Sequence, residues 1–161
     1  MHAGKILAVI LALSLLLPAP RAYAVRADTD MQLLAFIEAL CYVNEISPKL
    51  VYAVIEMESS WQANAVNPAG NCLGLMQISR IHKARLRDTL GIEDLFDPYQ
   101  NVMAGITMLA DYVHRYGDYD MALMCYNCGE AGARERFAQG ICSTGYSRWI
   151  VRRMEEMEGS S

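Results

Sequence analysis

Two glutamates lie two positions apart in Val54–Trp61, "VIEMESSW", inside an otherwise apolar run. "SP" at Ser47-Pro48 reads as a helix start, an N-cap followed by Pro at the first helical position, and the helix it opens is expected to reach about Trp61. At about 100° per residue, with Leu50 at zero, Val51, Val54, Ile55, Met57 and Trp61 make one apolar face centred at about 60°. Glu58 falls at about 80°, in the middle of that face, and Glu56 at about 240°, beside Lys49 and Ser60. Glu56 therefore reads as a surface acid with no role beyond solubility. Glu58 points into the domain. Burial disfavours the charged carboxylate and raises its pKa, and a carboxyl still protonated near neutral pH can serve as a general acid. On periodicity alone, Glu58 fits equally a structural acid paired with an Arg or capping backbone.

The elements that would hold it are helical. A first helix is expected from about Thr29 to Asn44, with Leu33, Leu34, Ile37, Leu40 and Cys41 on one face. After the Glu58 helix comes a loop of turn formers, "NPAGNCLG", then a short helix or irregular segment over "LMQISRIHKARLRDTLG". "DP" at Asp97-Pro98 opens an amphipathic helix carrying Val102, Gly105, Ile106, Leu109, Val113 and Tyr116 at helical spacing. "GDYD" breaks it, a further helix covers "MALMCYN" and stops at Gly129, and a last one runs from about Thr144 to Glu158. No strand pattern is evident, so the expected class is all-α or nearly so: one domain over 25–161, with its motif-bearing core at about 42–154.

The first 24 residues stand apart. A basic start, the 12-residue apolar stretch Ile6–Leu17 and Ala22-Tyr23-Ala24 read as a secretory signal over 1–24. Twelve apolar residues are too short to span a bilayer, which needs roughly 20, so no stable membrane insertion is expected after cleavage. The chain from Val25 would keep 12 basic residues against 18 acidic ones, a net charge of −6. With no basic stripe, a nucleic-acid partner is not expected. Export permits disulfides among Cys41, Cys72, Cys125, Cys128 and Cys142, and one or two bridged pairs are expected. Cys125-x-x-Cys128 has no second CxxC or spaced His pair to complete a metal set, and no metal or cofactor is called for.

Four segments in order carry a resemblance. "ESSWQANAVNPAGNCLGLMQIS" (Glu58–Ser79) pairs an acid and Ser with a turn and then G-L-M-Q; "DPYQNVMAGITMLADYV", "YNCGEAG" and "TGYSRWIVRRM" follow. Each alone is weak; together they resemble the soluble lytic transglycosylase family of the lysozyme-like superfamily over nearly the whole expected domain. The resemblance implies a lysozyme-like helical fold with a glycan groove. The implied reaction is cleavage of the β-1,4 bond between N-acetylmuramic acid and N-acetylglucosamine in peptidoglycan glycan strands. Glu58 would be the single catalytic acid and then base, and the muramic C6 hydroxyl would attack C1 to leave a 1,6-anhydro end. Ser59 would help position the acid or the sugar. Met76 and Gln77 would line the groove, Tyr126 and Asn127 would pack below and beside the acid, and the Tyr146 hydroxyl would reach its carboxyl. Asn101 reads as a buried amide bonded to backbone and Gly105 as a close helix crossing.

Departures from the family pattern are a turn segment one residue longer than usual and Cys128 in place of a small residue; a bridge from Cys128 to Cys142 or Cys72 would tie the groove wall. His82, just past G-L-M-Q, reads as structural. A hydrolase on the same fold would need a water-activating carboxylate, for which Asp97 and Glu130 are the remaining guesses. A glycan-binding protein without turnover is the third reading. A secreted enzyme of this kind would suit remodelling of its own envelope, a path for an envelope-spanning secretion or conjugation machine, or a phage; the sequence does not choose.

Overall fold

The computed structural model describes residues 27–159, with side chains from residue 31 onward, so the expected signal at 1–24 lies outside the described residues. Among the described residues six α-helices carry the fold: α1 Ala27–Asn44, α2 Pro48–Ser59, α3 Lys83–Leu90, α4 Pro98–Tyr116, α5 Tyr119–Phe137 and α6 Gly145–Gly159. The expected apolar face of α1 holds, with Ile37, Leu40 and Cys41 buried. Pro48 opens α2 as the sequence predicts, but the Ser47 side chain makes no cap hydrogen bond. The helix ends at Ser59 rather than near Trp61, because Ser60 (φ 49°) and Trp61 (φ 65°) turn left-handed. Trp61 thus leaves the apolar face on which helical spacing placed it and is 39% exposed, its ring tilted against Tyr52.

Asp97 does cap its helix, accepting from the Gln100 N–H at 2.9 Å, and Gly117 (φ 65°) closes it. The expected stop at Gly129 is a kink (φ 76°, ψ 153°), after which α5 resumes to Phe137. The resumed part had little apolar pattern of its own. Tertiary packing holds it: Ala133 is buried with Met124 and Cys125 in a satellite cluster that Tyr116 and Phe137 flank.

The fold is mainly helical, as expected, with one small addition. A two-residue antiparallel hairpin, β1 Cys72–Leu73 and β2 Ile78–Ser79, sits where no strand was expected. Strands this short leave no alternation to read. A 3₁₀ turn over Arg80–His82 leads from it into α3.

The main core joins α1, α2, α4 and α6 around Leu50, Val54, Ile55, Ile106, Leu109 and Ile150. α2 lies against α6, and α4 against α1 and α5. The expected disulfides are not formed: all five cysteines are free. Cys41 is in the main core and Cys125 in the satellite, while the Cys128 thiol turns back onto the Met124 carbonyl at 3.1 Å instead of toward Cys72 or Cys142. Among the described residues no helix is long and apolar enough to cross a membrane.

Candidate active site

Glu58 sits in the last turn of α2, half-buried. The Tyr146 hydroxyl, from the first turn of α6, donates to its Oε1 at 2.5 Å. Burial raises the Glu58 pKa above the ordinary carboxylate value, and the Tyr146 hydrogen bond pulls it part of the way back. Tyr126 and Tyr146 are themselves pushed well above the usual phenol range, first by burial and then by the charge of Glu58. Both hydroxyls therefore stay protonated donors. The Cys72 thiol is raised by burial and by Glu58, which places β1 beside the acid.

A polar scaffold behind Glu58 fixes the turn between the strands. Asn101, fully buried in α4, accepts from the Met76 N–H at 2.8 Å and donates to the carbonyls of Leu73 at 2.8 Å and Leu95 at 2.7 Å. Tyr126 donates to the Met76 carbonyl at 2.8 Å, so both ends of the Met76 peptide are held. Gly74 must be glycine twice over: its φ is +77°, and a Cβ would strike the Asn101 amide and lie 2.5 Å from the Leu95 carbonyl. Gly105 is a close approach, as expected, but to a side chain rather than to a crossing helix: a Cβ there would overlap the Met76 Sδ.

The expected site residues therefore separate. Glu58, Tyr126 and Tyr146 come together. The Met76 side chain has no exposed surface and fills the notch over Gly105, so it does not line a groove; only its backbone serves the site. Gln77 is half-buried at φ 48°, and its amide nitrogen donates to the carbonyls of Ala65 (3.2 Å) and Gly74 (2.9 Å), which shapes the turn. The Ser59 hydroxyl is buried and bonded back to the Ile55 carbonyl at 3.2 Å, within its own helix. Asn127 is exposed at the end of the helical stretch before the Gly129 kink. His82 is half-buried, its imidazole held below the usual value by burial and by Arg85.

Three carboxylates are committed elsewhere. Glu56 is no idle surface acid: Arg153 Nε, on α6, pairs with it at 2.9 Å. Asp97 caps α4, and Glu130 accepts from Arg115 at 2.6 Å and from the Tyr116 hydroxyl at 3.2 Å. Sequence reasoning missed the Glu56–Arg153 pair, because the two positions are 97 residues apart. It also missed a carboxylate, Asp120, that accepts a hydrogen bond from the hydroxyl of buried Ser147 beside Tyr146. The one available signal was the T-x-x-S spacing at Thr144–Ser147, a variant of the capping box.

Comparison with known proteins matches the chain to a family. The invasion protein IagB of Salmonella typhimurium is 35% identical over 106 residues, 60% of this chain and 66% of that protein. A transglycosylase of Enterobacteria phage PRD1 is 33% identical over 84 residues, 52% of this chain and 30% of that protein. The fold is shared with the 70 kDa soluble lytic transglycosylase of Escherichia coli, at a TM-score of 0.63 and 19% identity, over 74% of this chain and 23% of that one. The chain thus spans less than two thirds of the length of each of these proteins. The family model described as the transglycosylase SLT domain matches residues 35–140, and the chain belongs to that family, with its lysozyme-like helical fold.

Proposed function

We propose that this chain is a peptidoglycan lytic transglycosylase with Glu58 as its general acid and then base. One observation carries the reading: Glu58 is half-buried with a raised pKa and a phenol donor on one oxygen, while Glu56, Asp97 and Glu130 are each held by other partners. An acid kept protonated can give its proton to the glycosidic oxygen as the bond to muramic C1 breaks. Two-carboxylate glycosidases need a second acid to activate water or act as nucleophile. Here the C6 hydroxyl of the same sugar would take that place. Its oxygen bonds to C1, its proton passes to the Glu58 carboxylate, and the acid is restored without consuming water. With Tyr146 on Oε1, Oε2 is the oxygen left to carry the proton.

In this reading Asn127, exposed beside the kink, would offer its amide to a sugar, and Gln77 would offer its Oε1. Names among the relatives support the wall as target: one is a membrane-bound lytic murein transglycosylase F from Desulfosudis oleivorans, 33% identical over 94 residues and 54% of this chain. Export through the segment at 1–24 would bring the enzyme to that substrate.

The test is digestion of purified sacculi with mass spectrometry of the released muropeptides. Ends lighter by one water support the reading. Hydrated reducing ends would make the chain a hydrolase, and no release would leave it a binding protein.

A further inference from the structure

Ser147 has no exposed surface. Together with Thr144 it forms a reciprocal pair at the start of α6. The Ser147 N–H donates to Thr144 Oγ1 at 3.3 Å, and the Thr144 N–H donates to Ser147 Oγ at 2.9 Å. The third position of such a box is usually Glu or Gln, whose carboxylate or carbonyl oxygen only accepts. Serine accepts and also has an O–H to spare, which donates a hydrogen bond to the Asp120 carboxylate. Asp120 lies in the first turn of α5, so one carboxylate ties the starts of two helices.

Tyr146 stands inside this box, between Thr144 and Ser147. Its neighbour Gly145 is exposed and has no side chain to fix the turn. The Tyr146 hydroxyl lies at the end of a rigid ring, so a small rotation of the turn becomes a large displacement at Glu58. Misplacement of a group by about 1 Å can cost on the order of a hundredfold in rate. We propose that Asp120 is a positioning residue: by holding Ser147 it fixes the first turn of α6 and aims the Tyr146 hydroxyl at Glu58. This rests on the acid role proposed for Glu58. The groups facing Glu58 are Tyr146 from α6, Tyr126 from α5 and Cys72 from β1. Asp120 also borders a surface hollow of about 530 Å³ with Arg148, Arg152 and Glu155.

The experiment follows the Glu58 carboxyl by carbon NMR through a pH titration of the whole protein, without substrate. Tyr146→Phe should move its midpoint upward, because a donor to the charged form is lost. Asp120→Ala and Ser147→Ala should move it the same way, and Asp120→Ala should add nothing in the Tyr146→Phe background. Asp120→Asn keeps an acceptor and should titrate like the parent. On sacculi, Asp120→Ala should lower kcat about tenfold with KM unchanged. An unmoved Glu58 in Asp120→Ala and Ser147→Ala, or in Tyr146→Phe itself, overturns the proposal, as does a full further shift in the double variant. Should Asp120→Ala fail to fold by circular dichroism, Ser147→Ala decides. Glu58 shifts as expected without any anhydro ends would sink the proposed reaction instead, and leave the geometry standing.

Discussion

Glu58 and Glu56 share a helix and differ in what surrounds them. Glu58→Gln keeps the shape and removes the proton relay, so sacculus cleavage should fall by about 10²–10⁴-fold. Glu56→Gln should stay within about twofold of the parent, since a partly exposed ion pair contributes little. Cleavage abolished in Glu56→Gln alone would overturn the assignment. The acid form of Glu58 is the one needed first, so kcat/KM should fall as pH rises through its pKa. Loss of the Tyr146 donor raises that pKa, and the basic limb of the profile in Tyr146→Phe should therefore move to higher pH. Stability follows the same sign. A carboxyl raised on folding contributes fully below its unfolded pKa and loses that contribution as pH rises through the folded one. Glu58→Gln should accordingly raise Tm at neutral pH and leave it unchanged in acid, read by thermal scans at both pH values.

Between elements, the controlling contacts are backbone groups held by side chains. Asn101 satisfies one N–H and two carbonyls inside the core. Asn101→Ala leaves all three without that partner and should cost about 3 kcal/mol or more, seen as a lowered urea midpoint. Gly105→Ala pushes a Cβ into Met76, whose Cβ and Cε would lie 2.8 Å away. Overpacking of this kind costs about 1–3 kcal/mol. Cleavage should fall as well, because the displaced Met76 carbonyl anchors Tyr126. A normal Tm and full activity in Gly105→Ala would show that the notch relaxes freely.

Across the whole molecule, α6 meets α2 through Tyr146–Glu58, Arg153–Glu56 and the Lys49 ammonium on the Met157 carbonyl at 2.9 Å. These ties lie along one helix pair, so the acid and its donor sit on a joint that α2 and α6 make together. The acid and its donor are 88 residues apart in sequence, and only packing brings them within bonding distance.

Much of this was legible before folding. The Glu58 side of α2 followed from a 3.6-residue period, and the starts of α2 and α4 from Pro after a polar residue, because both signals are local. Asn101 was legible as a buried amide only through the D-P-x-x-N segment that carries the family resemblance. Tertiary structure alone decided the rest. It turned the chain left-handed at Ser60 and moved Trp61 off its predicted face. It buried Met76 in the notch of Gly105 and left the cysteines unbridged. It gave Glu56 an arginine and Ser147 an aspartate, since neither partner lies on the same helix and no short-range pattern records a contact made only when two helices pack.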